Sequence, residues 1–130
     1  MNIYAPNTYW EADDNVKLSI CNGCGAKNGV KVPDTMWGLN ISSACNIHDW
    51  MFNEGKSLSD FYFANAVFIM NLAIIITANG SKWLAPLRLA RATKYFIAVQ
   101  ELGQDAFWVE KPRNNDLAIS YKGSFQCVEC

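Results

Sequence analysis

The chain has 130 residues, with 11 Lys+Arg against 12 Asp+Glu, one histidine, a formal net charge of −1, and 51% hydrophobic against 18% charged residues. That is the size of one domain able to bury roughly two thirds of its unfolded surface, and the composition excludes a disordered, collagen-like or coiled-coil chain. The balanced charge removes the basic footprint of a nucleic-acid binder, and a lone histidine excludes the H-E-x-x-H metalloproteases and multi-histidine HD phosphohydrolases.

In chain order, the start Met1-Asn-Ile-Tyr-Ala-Pro has neither the basic residues nor the apolar run of a signal peptide. A cytoplasmic chain, or one exported by a non-classical route, is therefore expected. Residues 1–20 show no clean period and read as an irregular lead-in with room for one short helix or strand. Gly23, Gly25, Gly29, Pro33 and Gly38 make residues 21–41 a loop held by turn residues. Asn40-Ile41-Ser42-Ser43 offers N-caps for a helix to about Asn53, with an apolar stripe of Ala44, Cys45, His48, Met51 and Phe52. Asp49 lies on the flank of that stripe.

Asn53-Glu54-Gly55-Lys56 breaks the first helix and Ser57-Leu58-Ser59-Asp60 opens a second. From Phe61 to Ala78 the chain is almost wholly apolar, interrupted by Asn65, Asn71 and Thr77. Eighteen helical residues span roughly 27 Å, but two asparagines and an acidic start favour a central core helix over a membrane span. A third helix is expected from about Pro86 to Gly103, with Ala92, Tyr95, Phe96, Val99 and Leu102 inward and Arg88, Arg91 and Lys94 outward. Those basic residues read first as a solvated face, with contact to anionic lipid the lesser reading. Phe107-Trp108 finishes the packing, Pro112–Asp116 forms a turn, and Leu117–Gln126 is expected to form a short hairpin. The expectation is one mainly α domain over residues 1–130: an antiparallel helix pair, a glycine-rich metal loop and a C-terminal β-hairpin.

Four of the five cysteines form C-x-x-C pairs, Cys21/Cys24 and Cys127/Cys130. That spacing lets two thiolates take adjacent corners of a zinc tetrahedron, so a structural site of Cys21, Cys24, Cys127 and Cys130 would clip the tail to the N-terminal loop. Two redox pairs or two disulfides remain alternatives, as does a zinc set of Cys21, Cys24, Cys45 and His48.

The chemistry concentrates at Cys45-Asn46-Ile47-His48-Asp49. A histidine on an apolar stripe needs a partner for its second nitrogen. If the second helix folds back, Asp60 reaches His48 and fixes its tautomer, leaving the other nitrogen as a general base. Asp60 also fits a capping box, Ser57-x-x-Asp60, a role that is compatible with orienting the histidine. Asp49, beside the glycine-rich loop, offers the oxygen-only coordination that suits calcium.

Asn22-Gly23-Cys24-Gly25, then Cys45-x-x-His48-Asp49-x-x-Phe52, then Asp60-x-x-Phe63 resembles the secreted phospholipase A2 superfamily, nearest its group XII and bacterial or viral branches. The resemblance spans about residues 21–75, and the order of loop, His-Asp helix, turn and Asp-x-x-Phe helix is its specific part. It implies His48 as the base that activates water, Asp60 as its orienting aspartate, and Asp49 with the carbonyls of Gly23 and Gly25 as calcium ligands. The implied reaction is calcium-dependent hydrolysis of the sn-2 ester of a glycerophospholipid at a membrane surface, without a covalent intermediate. Three departures from the family are evident: Phe52 stands where a tyrosine is usual, the disulfide ladder is missing and Cys45 has no obvious partner, and a zinc on Cys21 and Cys24 would put a second metal beside the calcium loop. The alternative is a non-catalytic, zinc-stabilised module on the same fold.

Overall fold

The computed structural model describes residues 2–24, 33–79, 81–121 and 125–129. Among them, six helices and two small antiparallel sheets are formed: β1 (Asn2–Pro6), α1 (Asn7–Glu11), α2 (Asp14–Ile20), β2 (Thr35–Met36), β3 (Leu39–Asn40), α3 (Ser42–Glu54), α4 (Leu58–Asn79), α5 (Ala85–Leu102), α6 (Gln104–Phe107) and β4 (Phe125–Glu129). The mainly helical expectation holds, and the three long helices lie close to their expected positions.

The organising element is α4. By length and composition it could cross a membrane, yet it packs against α3 on one side, α5 on another and β1 on a third. Phe61, Ala64, Val67, Phe68, Leu72, Ile75 and Ile76 are all buried. An all-round apolar helix is stable in water only when most of its faces are covered in this way, here leaving Tyr62, Ala66 and Met70 exposed. It also carries three polar residues into the core, Asp60, Asn65 and Asn71, all fully buried.

Each of these three has hydrogen bonds, as burial requires. Asn71 Oδ1 accepts from the Tyr4 N–H at 2.9 Å while its Nδ2 donates to the Tyr4 carbonyl at 2.8 Å. One amide thus fixes β1 along α4. On its other edge β1 pairs with β4, Tyr4 opposite Cys127 and Pro6 opposite Phe125. The N-terminal segment is therefore ordered structure rather than an irregular lead-in.

At the α3–α4 bend the Asp60 carboxylate accepts from the N–H groups of Lys56 (2.8 Å), Ser57 (3.1 Å) and Ser120 (2.7 Å), and Ser57 Oγ accepts from the Asp60 N–H at 3.1 Å. This is a reciprocal capping box. The Leu58 N–H donates to the Asn114 carbonyl at 2.8 Å, so an unpaired amide of the first turn is taken by the segment returning from α6. Lys111 closes the other side of the bend, its ammonium donating to the carbonyls of Phe52 and Gly55.

Three expectations are corrected here. Leu117–Gln126 forms no local hairpin among the described residues: 114–120 is spent on capping α4, and the strand that follows pairs with β1. The tail is held by that β pairing. Arg88, expected outward on α5, is buried, because its guanidinium donates to the carbonyls of Met36 and Trp37 in the β2–β3 turn. Leu102, expected inward, is 77% exposed at the end of the helix.

Replacing Asn71 with alanine leaves the Tyr4 N–H and carbonyl unpaired in the core. The expected loss is about 2–4 kcal/mol in urea denaturation, with hydrogen-exchange protection falling first in β1 and β4.

Candidate functional site

His48 lies on the buried side of α3, level with the middle of α4. Its ring is held between Phe52, one turn further along α3, and Phe68 of α4, at centroid distances of 4.1 and 4.6 Å. Nε2 lies 2.7 Å from Asn65 Oδ1, and Asn65 Nδ2 donates to Gln100 Oε1 at 2.6 Å. This chain of three side chains joins α3, α4 and α5. An amide oxygen only accepts, so Nε2 carries the proton and Nδ1 keeps its lone pair.

Burial in this aromatic setting pushes the His48 pKa down to about 4, while the hydrogen bond to Asn65 opposes the shift. The imidazole is therefore neutral at pH 7. Among the described residues no second hydrogen bond reaches the ring.

Asn65 takes the place expected for Asp60. The Asp60 carboxylate is committed to the three amides of the bend; burial raises its pKa, but those hydrogen bonds outweigh it and hold the group below the ordinary carboxylate value. Of the two roles open to Asp60, the structure gives it the helix cap. Phe52 meets the imidazole at a tilt of 46°, at the position where the resemblance expects a tyrosine.

Asp49 follows about 100° round the helix, half-buried beneath the turn 21–24. Three consecutive amides of this turn are held by three side-chain oxygens: Asn22 N–H by Asp49 Oδ2 (2.9 Å), Gly23 N–H by Asn46 Oδ1 (3.2 Å) and Cys24 N–H by Asp34 Oδ1 (2.8 Å). Gly23 is required twice, by its φ of +80° and because a Cβ there would stand 2.9 Å from Asp34 Oδ1. A disulfide joins Cys24 to Cys45 at a Cα separation of 4.9 Å, fastening the turn to α3 one helical turn before His48.

The donor chemistry here suits a hard cation, since it is made of carboxylate and amide oxygens. Among the described residues these oxygens are turned to N–H groups: the Asn22 amide meets Asp49, and the Gly23 and Cys24 amides meet Asn46 and Asp34 in the same way. Gly25, the other expected calcium ligand, lies outside the described residues.

The four-cysteine zinc site is not assembled either. Cys24 is closed in the disulfide, and Cys45 has the partner that the sequence did not reveal. Cys21 is a protonated thiol, pushed up to about 11 by burial and by the Asp49 charge, and it donates to the Asn46 carbonyl at 3.2 Å. Cys127 contributes backbone to β4, and Cys130 lies outside the described residues. Among the described residues no group of three or more His, Cys, Asp or Glu side chains is placed to hold a metal.

Asn65, Gln100, Asn46, Asp34 and Phe68 are site residues that motif reasoning missed. Asn65 had a usable signal: for two helices folded back at Lys56–Ser57, residues 48 and 65 stand equally far from the bend and so face each other, whereas Asp60 stands level with residue 53. Compared with protein-family models, with curated proteins and with solved structures, the chain matches none of them.

Because the folded pKa of His48 is depressed, its contribution to stability is present above the unfolded value of about 6.5 and is lost as pH falls toward 4. With chelator present, urea midpoints at pH 7 and pH 4.5 should fall more steeply for the native chain than for His48→Gln, which does not titrate. The full difference is on the order of 3 kcal/mol.

Proposed function

We propose that this chain is a phospholipase A2-like hydrolase that cleaves the sn-2 ester of glycerophospholipids, with His48 as the general base. The observation that carries this reading is the hydrogen bond from Nε2–H to Asn65 Oδ1 at 2.7 Å, which leaves Nδ1 as a lone-pair nitrogen on a ring kept neutral by burial. Water attacking the ester carbonyl gives its proton to Nδ1 as the C–O bond forms. Nε2–H remains hydrogen-bonded to Asn65 through that step. When the tetrahedral intermediate collapses, the imidazolium returns the proton to the departing alkoxide. No bond to the protein forms.

The same geometry implies a weak base. Asn65 is neutral and offers the imidazolium a dipole where a carboxylate would offer a full charge. Turnover should accordingly be slow, and flat with pH down to about 5. Calcium dependence belongs to the resemblance alone; a cation at Asp49 would require the turn 21–24 to release its amides and present carbonyls.

A second reading, a non-catalytic binding or structural module, is favoured by one observation: the His48–Asn65–Gln100 chain reads equally well as a satisfied core network tying three helices together.

Fatty-acid release from mixed phospholipid vesicles, with calcium and with chelator, separates the two. The hydrolase reading expects release that drops about a hundredfold or more in His48→Gln, while the chelator arm reads whether the calcium implied by the resemblance takes part. It also expects Asn65→Asp to move the apparent pKa of the rate upward, since a carboxylate favours the charged imidazole. No release from either anionic or zwitterionic lipid sinks it and leaves the module.

A further inference from the structure

The N-terminal half of α5 carries an unusual surface. Trp83, just before the helix, is 91% exposed, and Leu87 one turn on is 53% exposed. Ala90, Lys94 and Ile97 continue the same stripe at alternating spacings of three and four residues, all of them exposed. A solvent-facing tryptophan flanked by exposed leucine and isoleucine is uncommon on a surface that meets only water.

A second exposed tryptophan stands beside the helix, against Arg91. Trp37 sits in the two-residue turn between β2 and β3 with φ of 45°, followed by Gly38 at φ 81°. Both are left-handed, a conformation that costs a bulky residue roughly 1–2 kcal/mol. Arg88 of α5 holds the turn, its buried guanidinium donating from Nε to the Met36 carbonyl at 3.0 Å and from a terminal nitrogen to the Trp37 carbonyl. The Arg91 guanidinium lies 4.6 Å from the Trp37 ring centre. The indole is thus presented outward, 46% exposed, on a turn pinned to the helix.

Charge selects the partner. Lys82, Arg88, Arg91 and Lys94 fall between Ser81 and Gln100 with no acidic residue among them, in a chain whose net charge is −1. Lys82, Arg91 and Lys94 are exposed. Tryptophans at the headgroup level, short apolar side chains below them and a ring of Lys and Arg form the pattern of a surface lying in a lipid interface, and basic residues favour anionic headgroups.

We infer that Trp37, Trp83, Leu87 and the basic residues around them dock this chain on an anionic phospholipid bilayer. The inference rests on the lipid-hydrolase reading for its purpose, but its test reads binding and not turnover. His48→Gln protein, which keeps lipid intact, is sedimented with phosphatidylcholine vesicles and with vesicles containing added phosphatidylglycerol, while tryptophan emission is followed.

The expected result is partitioning at least tenfold stronger onto the anionic vesicles, with a blue shift of emission. Charge reversal at Lys82, Arg91 or Lys94 should weaken it about fivefold per residue. Trp83→Ser should remove most of the shift; these side chains are exposed, and an unchanged circular-dichroism spectrum and thermal midpoint certify the fold. Equal partitioning onto both vesicle types overturns the inference. So does anionic binding that survives the triple reversal. A concentration-dependent dimer dissolved by Trp83→Ser, with no lipid binding, overturns it in favour of a contact between two copies. Binding without hydrolysis by the native chain leaves docking in place and sinks the enzyme, whereas hydrolysis of a dispersed ester without vesicle binding does the reverse.

Discussion

A helix that is apolar on every side yet carries Asp60, Asn65 and Asn71 can be buried only where each polar group meets a partner, because an unpaired one costs more than its neighbours gain. In α4 the three partners come from three different parts of the chain: the α3–α4 bend with residue 120 for Asp60, His48 and Gln100 for Asn65, and β1 for Asn71. Apolar contact tolerates sliding of one helix on another; a hydrogen bond at fixed height does not. These residues therefore set the register of α3, α5 and the N-terminal strand, and through β1 they set the place of the C-terminal strand. The remaining packing follows from where they sit.

The site is a consequence of that constraint. Asn65 must be satisfied inside the core, and the imidazole that satisfies it becomes ordered, singly protonated and stripped of water in the same step. Phe52 and Phe68 complete its enclosure. Such an environment holds a base in one tautomer while lowering its basicity. The turn at 21–24 shows a related economy: its disulfide fastens it to α3, and its three amides each take one oxygen of Asp49, Asn46 or Asp34.

The long helices were legible because their signals are local: an apolar period, a glycine break and a capping pattern each lie within a few residues. His48 and Asp49 were legible by motif and Asn65 was not, since an asparagine in an apolar run reads as an interruption until its height against the opposite helix is reckoned. Asp60 misled because one carboxylate fits two roles, and three amides at the bend decided between them. Residues 2–6 and 125–129 carry no turn signal linking them, as pairing across nearly the whole chain leaves no local trace. The Cys24–Cys45 bridge was hidden in the same way, behind a C-x-x-C spacing that suggested metal.

The protonation of His48 can be read directly, since the chain has one histidine and its imidazole nitrogens give one pair of signals. Nitrogen-15 spectra of the ring, recorded from neutral pH to about pH 3.5, should show Nε2 bearing the proton, Nδ1 free of it, and no change until the pH approaches 4. A proton on Nδ1 at neutral pH, or titration near the ordinary value of about 6.5, would contradict the buried, asparagine-oriented base on which the reading of this site depends.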